Sequence, residues 1–423
     1  MPNFTLSDDV FRAAAERFGT PMHLYDERGI RHTARRLRQA FSGVPDFREY
    51  FAVKALPTPA ILRIMREEGC GVDCASETEL LLADYCGFSG ESVMFSANVV
   101  PPAEFRLARA MGAFINLDDL THVDELRDNG GIPEEICLRF NPGGAFRIGN
   151  AIMGDPGDAK FGMTRPQLTD ALRRMIPDGL RRFGLHAFLS SNTTDPHYYP
   201  TLSRLLFDTG REMMEETGLP LSFVNLSGGI GIPYRPEERE ADIEAIGRGV
   251  ADAYHDAFTR GGLGGVAVKA ELGRYMTGPH GWLLTTLTHE KRIHKHYLGV
   301  DASACDLMRP AIYGAYHHIT VVGREDAPHD QRVDVTGCLC ENNDKFAIDR
   351  MLPATEIGDL LVLHDTGAHG LSMGYNYNGK LRCQEVLYTR QGDFRLIRRA
   401  ETPADYFATL DVDGQIATGR ARA

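Results

Sequence analysis

The sequence predicts a (β/α)8 barrel of the TIM type joined to a second, mostly β domain of sandwich or barrel character. Three observations predict it. Eight short apolar runs alternate with amphipathic helical stretches up to about residue 272. After Arg274 the texture changes to runs rich in β-branched residues with turns between them. The length, 423 residues, exceeds one ordinary domain and suffices for two.

The eight runs are REYFAVKA, GVDCA, SVMFSA, AFINLD, ICLRFNPG, FGLHAFLSS, FVNLSGG and VAVKAEL. A doubly wound open sheet competes with the barrel, but it requires no count of eight. The helical stretches carry start signals. Thr58-Pro59 offers a cap followed by proline at the first helical position. Ser76 with Glu79 has the spacing of a capping box. Pro101-Pro102 open the next helix, and Tyr199-Pro200 lead into a long one. Beyond Arg274 the strand-like runs are GWLLTTLTHEKR, HKHYLGVDA, HHITVVG, QRVDVTGCLC, DLLVLHD and KLRCQEVLY. The pattern change places the barrel at residues 28–277 and the β domain at 278–423, joined by 1–27.

Bulk composition narrows the function classes. Hydrophobic residues make up 43% and charged residues 25%, which is ordinary globular usage. The net charge of -12 makes the average surface acidic and argues against a nucleic-acid partner. No apolar run approaches membrane-spanning length, so no membrane partner is expected. The opening MPNFTLSDDVFRAAAERFG has acidic residues where a leader peptide is basic, and reads as an amphipathic helix. A cytoplasmic location is the expectation. The eight cysteines, Cys70, Cys74, Cys86, Cys137, Cys305, Cys338, Cys340 and Cys383, form no CxxC pair. No metal site is expected, and most of these thiols should be small core residues. If Cys338 and Cys340 lie in a strand, they share a face.

A barrel of this kind works at the C-terminal ends of its strands. There the sequence places Lys54, Arg139, Ser190-Ser191-Asn192, Ser227-Gly228-Gly229, Glu271 and Arg274. One lysine, one carboxylate, a glycine turn and two arginines then face one mouth. That set suits an anionic cofactor with a reactive aldehyde. The lysine forms an imine. Backbone N–H groups at the glycines cradle a phosphate. The carboxylate pairs with a protonated pyridine nitrogen. Lys54 stands out because an apolar approach, Tyr50-Phe51-Ala52-Val53, leads into it.

The motifs YFAVKALPTP, GVDCASETEL, LRFNPG, KFGMT, GLHAFLSSN, LSGGIGIPY, ELGRYM, VDASACDLMRPAIYGAYH, GCLCENND and DTGAHGLSMGYNYNGKLR span most of the chain, from about Tyr25 to Tyr388. Together they resemble the fold-type III pyridoxal-phosphate (PLP) decarboxylases, and within them the diaminopimelate decarboxylase branch. The resemblance implies PLP as cofactor, with Lys54 as its Schiff-base lysine and Glu271 as the pyridine-nitrogen partner. Racemases of the same barrel class carry an arginine at that point, so Glu271 favours decarboxylation. Gly228, Gly229 and Ser191, with the backbone at Gly273 and Arg274, match the phosphate-binding positions. Arg274, Arg309 and Tyr313 match the grip on the substrate's distal end. Cys340 matches a cysteine that enters the site from a partner subunit and serves proton transfer. Glu341 matches a glutamate that reads a distal ammonium group, where the ornithine branch has aspartate. The resemblance thus implies a homodimer with shared sites and a small amino-acid substrate.

Departures from the family pattern gather around the same ring. Phe188 stands where a histidine usually stacks on the cofactor; phenylalanine still stacks but donates no hydrogen bond. His186, two residues earlier, is expected to be a satisfied structural histidine. His369 replaces a tyrosine near the phosphate, and Tyr377 matches the second tyrosine of that stretch. Asn343 replaces a glycine, and Ser303 and Cys305 replace a glycine and an asparagine before Arg309. The expected reaction is meso-diaminopimelate to L-lysine and carbon dioxide. Three other readings remain open: a decarboxylase of another diamino acid (D-lysine, D-ornithine or a biosynthetic intermediate), a non-catalytic homologue that binds a partner protein, and a racemase or lyase on the same barrel.

Overall fold

The structure is a computed structural model and describes residues 6–145, 157–259 and 264–411. The chain divides into two compact units. One comprises Arg31–Pro233 and Arg239–Met276. The other comprises the residues up to Ile30, Tyr234–Glu238 and the residues from Thr277 onward.

The first strand, β1 (Met22–Asp26), belongs to the second unit. The first unit is a closed barrel of β2 (Arg48–Ala52), β3 (Gly71–Cys74), β4 (Val93–Ala97), β5 (Phe114–Leu117), β6 (Glu135–Arg139), β7 (Arg182–His186), β8 (Leu221–Asn225) and β9 (Ala267–Ala270). Neighbours in sequence pair in parallel, and β9 closes on β2 through Arg48↔Lys269 and Glu49↔Ala270. Each apolar run read from the sequence coincides with or overlaps one of these strands. Parallel strands covered on both faces must be apolar throughout, which is why they are written as runs. The open doubly wound sheet is thereby excluded.

The helix signals resolve in detail. Pro59 opens the helix Pro59–Glu67 and Pro102 opens Pro102–Ala110. Tyr198–Thr217 is the long helix, and it stops at Gly218, whose φ of 73° suits a residue without Cβ. Ser76 caps Glu77–Tyr85 by accepting the Glu79 N–H at 3.3 Å. The reciprocal half of the capping box is absent: the Glu79 carboxylate takes the Ala75 N–H at 2.7 Å instead.

The second unit is built on a nine-stranded sheet. Its strands after β1 are β10 (Gly281–Arg292), β11 (His296–Val300), β12 (Ile319–Val321), β13 (Gln331–Thr336), β14 (Lys345–Leu352), β15 (Leu360–Leu363), β16 (Gln384–Tyr388) and β17 (Phe394–Arg398). The path runs β14-β13-β11-β10-β1-β16-β17, with β15 pairing β10 and β12. β1 is antiparallel to β10 and parallel to β16, so the N-terminal segment is integral to this sheet. The amphipathic helix Asp8–Phe18 docks there, with Phe11 edge-on to Trp282 at 5.6 Å between centroids. A second core joins Leu283, Leu298, Val300, Val333, Val335 and Phe346.

β1, β14 and β17 lie outside the strand-like runs of the sequence. In β14 the apolar alternation is broken by Asp349, which takes a left-handed φ of 51°. The reading also ran QRVDVTGCLC as one strand, whereas β13 stops at Thr336. Gly337 passes so close to the buried Asp344 carboxylate that a Cβ there would lie 2.3 Å from Oδ2, and the chain turns away. Cys338 and Cys340 therefore sit in a turn and are exposed, while the other six cysteines are buried. No helix among the described residues is long and apolar enough to cross a membrane.

Candidate active site

Lys54 leaves the end of β2 in a single 3-10 turn, Val53–Ala55. From Glu49 to Thr58 it is the only exposed residue, so the apolar approach delivers one ammonium group to the barrel mouth. It makes no hydrogen bond or ion pair among the described residues, yet its charge is felt at Asp73, Glu79 and Glu271. Gly273 permits the close approach that sets this turn. A Cβ at Gly273 would lie 2.6 Å from Ala55 Cβ and 3.3 Å from Ala52 Cβ. Ala52 N–H donates to Leu272 O at 3.2 Å, and Leu272 N–H donates to Glu49 Oε1 at 2.6 Å, so the ends of β2 and β9 are locked together.

Glu271 is 5% exposed and is held by three side chains. Asn225 Nδ2 donates to Oε1 at 2.7 Å, Ser227 Oγ donates to Oε2 at 3.0 Å, and His186 Nε2 lies 3.1 Å from Oε2. Burial alone would raise the Glu271 pKa; His186, Lys54 and Asn225 more than offset it and hold the carboxyl below the ordinary carboxylate range. Burial also draws the His186 pKa down, against the pull of Glu271. His186 Nδ1 is buried with no partner. An imidazolium would leave an unsatisfied N–H there, so the neutral ring with its proton on Nε2 fits both observations. A neutral donor attracts less than a cation. The ionised state of Glu271 then rests on the donated hydrogen bonds and on Lys54. His186 is thus not the satisfied structural histidine expected from the sequence: it is aimed at Glu271.

A glycine turn follows β8. Gly229 has φ 124°, and a Cβ there would lie 2.7 Å from Tyr198 Cε1 and 3.0 Å from Ser190 O. At Gly228 a Cβ would lie 3.0 Å from Glu271 O and 3.5 Å from Phe188 Cε2. The N–H groups of Gly228 and Gly229 have no acceptor among the described residues. Tyr199 Oη fixes the turn by donating to Ser227 O at 2.6 Å, and Tyr198 Oη accepts from Leu189 and Ser190 N–H at 3.3 and 3.1 Å. Ser191 and Phe188, beside this turn, are half-buried, and Arg274 is buried.

Three residues at the mouth change the sequence picture. The sequence places Arg139 there as a cation for an anionic ligand. Its Nη1 instead donates to Asp118 Oδ1 at 2.9 Å, and its guanidinium lies 4.4 Å from the Phe161 ring centroid. Asp73, at the end of β3, was not singled out. It is buried, its Oδ1 has no partner, and burial with the nearby Glu271 raises its pKa well above the ordinary value. Glu79 is likewise raised by burial, with Lys54 opposing. Only barrel closure brings these groups near Lys54; spacing in sequence gives no signal of it.

The β domain holds the remaining predicted residues on loops tied together by buried carboxylates. Asp344 accepts Ala304 N–H and Leu339 N–H, each at 2.8 Å. Asp306 accepts Ser303 N–H at 3.0 Å and Cys383 N–H at 2.8 Å. Cys340 is exposed and its N–H donates to Asn378 Oδ1 at 2.7 Å. The exposed Glu341 accepts the Asn343 N–H at 3.1 Å. Arg309, 5% exposed, opens the helical turn Arg309–Tyr313, whose last residue Tyr313 is exposed. Tyr377 is exposed, and His369 is half-buried with a left-handed φ of 55°.

The barrel-mouth set fits PLP on three counts. A free amine suits its aldehyde, an ionised carboxylate suits its pyridinium, and a glycine turn that admits no Cβ suits its phosphate. Comparison with known proteins agrees. The family model for the pyridoxal-binding domain of pyridoxal-dependent decarboxylases matches residues 28–278. The protein TabA of Pseudomonas amygdali pv. tabaci is 39% identical over 95% of this chain and 93% of its own length. The diaminopimelate decarboxylase of Methanothermobacter thermautotrophicus is 34% identical over 95% of this chain and 94% of its own. The crystal structure of M. jannaschii diaminopimelate decarboxylase with L-lysine superposes with a TM-score of 0.85 at 28% identity, covering 96% of this chain and 95% of that one. With a matching barrel, a matching family model and the amine, carboxylate and glycine turn at one mouth, the chain belongs to the pyridoxal-dependent decarboxylases, and it is a PLP enzyme of the carboxy-lyase class.

Proposed function

We propose that this decarboxylase converts meso-diaminopimelate to L-lysine and carbon dioxide, with Lys54 as the residue that carries the cofactor. The observation that carries the substrate is Arg309. An amino acid with a single carboxylate loses it in the reaction, and its product has no carboxylate to set against the buried Arg309 cation. A second carboxylate supplies an opposite charge, and a guanidinium forks onto a carboxylate. Relatives named diaminopimelate decarboxylase at 31–34% identity support the same substrate.

In this reading the ionised Glu271 would pair with the cofactor's ring nitrogen and favour its protonated form. The backbone at Gly228, Gly229, Gly273 and Arg274, with Ser191, receives the phosphate. Phe188 would stack on the ring, and His369 and Tyr377 would help hold the phosphate. PLP supplies, when bound, an electron sink for the pair left behind as carbon dioxide departs. Arg274, Arg309 and Tyr313 hold the distal carboxylate, and Glu341 reads the distal ammonium. Cys340 Sγ delivers a proton to the α carbon. The reading includes a homodimer in which each subunit lends Cys340 and Glu341 to the other, and a cytoplasmic location.

Lys54→Ala tests the assignment. Turnover and the visible absorbance of bound cofactor should both vanish; decarboxylation at the wild-type rate refutes it. A second reading, a decarboxylase of another diamino acid, is favoured by Phe188 and His369, which depart from the family pattern close to the ring. A panel of meso-diaminopimelate, both lysine enantiomers, both ornithine enantiomers and L-arginine, with PLP supplied, separates the two by the amine and carbon dioxide released.

A further inference from the structure

Arg309 is locked from two sides within the β domain. Its Nη1 donates to Tyr234 Oη at 2.7 Å and lies 3.3 Å from His317 Nε2. Its guanidinium stands 4.8 Å from the Tyr234 ring centroid. The His317 side chain is 0% exposed and edge-on to Tyr234, with centroids 5.2 Å apart at 78°. The His317 Nδ1 is 2.8 Å from His364 O. A carbonyl oxygen only accepts, so Nδ1 carries the ring proton. In the neutral ring Nε2 then presents a lone pair, and it accepts from Nη1. The two protons on Nη1 are thus directed at two fixed acceptors. Because a guanidinium is planar, fixing both protons of one nitrogen fixes the whole plane. His317 is itself anchored, since Arg350 Nη1 donates to its carbonyl oxygen at 3.0 Å.

An unanchored arginine would lose side-chain entropy each time it gripped a carboxylate, and pre-orienting it removes that cost from binding. We propose that Tyr234 and His317 are positioning residues that aim Arg309, and that they set the enzyme's preference for a substrate with a second carboxylate. This rests on the assignment of Arg309 to the distal carboxylate.

The test uses the PLP-loaded enzyme with Tyr234→Phe, His317→Leu, His317→Gln and Arg309→Ala. Tyr234→Phe keeps the ring under Arg309 and removes one acceptor. His317→Gln restores an acceptor that His317→Leu lacks. KM and kcat are measured with meso-diaminopimelate. Ki is measured for L-lysine, which has a carboxylate to offer Arg309, and for cadaverine, which has none. Tyr234→Phe and His317→Leu should raise KM and the L-lysine Ki about tenfold, the equivalent of ~1.4 kcal/mol. They should leave kcat and the cadaverine Ki within about twofold, and His317→Gln should recover most of the loss. The proposal is overturned if Arg309→Ala raises KM while Tyr234→Phe does not, or if the cadaverine Ki rises in parallel. If Arg309→Ala itself leaves KM and the L-lysine Ki unchanged, the assignment of Arg309 falls and the positioning role falls with it. Should His317→Leu fail to fold, Tyr234→Phe alone decides.

Discussion

Asp118→Asn decides whether Arg139 serves the fold or the ligand. The pair joins the ends of β5 and β6 at the barrel mouth, 2.9 Å apart, with side chains 11% and 5% exposed. Burial pulls the Arg139 pKa down, and Asp118 and Glu271 oppose that pull. Removing one member of such a pair strands the other charge and costs ~3–5 kcal/mol. Asparagine keeps one acceptor oxygen, and the Phe161 face still attracts the cation, so roughly 3 kcal/mol is the expected loss. Replacing both members, Asp118→Asn with Arg139→Met, should cost less than the sum of the singles by ~2 kcal/mol or more, because no bare charge remains. Equilibrium urea unfolding with an unchanged m value reads each term. PLP affinity in Arg139→Met should match the wild type. A loss below ~1 kcal/mol in Asp118→Asn, or additive singles together with weakened PLP binding in Arg139→Met, would refute the structural assignment.

Three further outcomes follow from other parts of the chain. A Cβ at Gly247 would lie 2.1 Å from Ala40 O, so Gly247→Ala should push the helix Ile243–Tyr254 outward and cost ~2–3 kcal/mol; a melting temperature within about 1 °C of wild type contradicts this. Burial raises Asp306 from 3.8 to about 6, despite the N–H groups of Ser303 and Cys383. Its protonated form is favoured by folding, so this contribution is complete below pH 3.8 and is lost as pH rises through about 6. This difference corresponds to ~3 kcal/mol, and Asp306→Asn should flatten the stability profile between these limits; parallel profiles contradict it. Phe188→Ala should weaken PLP retention about three- to tenfold, the value of one stacked ring, and an unchanged dissociation constant removes Phe188 from the site.

The barrel was legible because strands covered on both faces must be continuously apolar, and its mouth was legible because each run breaks at a polar residue. Lys54 and Glu271 are such breaks. What the sequence did not disclose are partnerships that exist only after the strands register. His186 lies opposite Asn225 on β8, and Asn225 opposite Lys269 on β9, so that three successive strands bring His186 and Asn225 to Glu271 just past Lys269. None of that is written in local spacing. The partner of Arg139 is hidden for the same reason, since its charge is visible at the end of β6 but Asp118 is on the neighbouring strand end. In β14 and β17 the signal itself was weak, because charged residues interrupt the apolar pattern on strands that show one side to water.

A charge at a strand end is informative in proportion to what is left of it after its neighbours have been counted. Arg139 is paired at 2.9 Å with a carboxylate even more buried than itself. Lys54 is exposed, makes no hydrogen bond among the described residues, and faces Asp73, Glu79 and Glu271 through space alone. Glu271 is ionised and already engaged by three donors, while burial keeps Asp73 and Glu79 inclined to hold their protons. Among the described residues Lys54 is thus a cation that its surroundings attract without binding, and that residual capacity, rather than position at a strand end, distinguishes it from Arg139, whose charge Asp118 already answers.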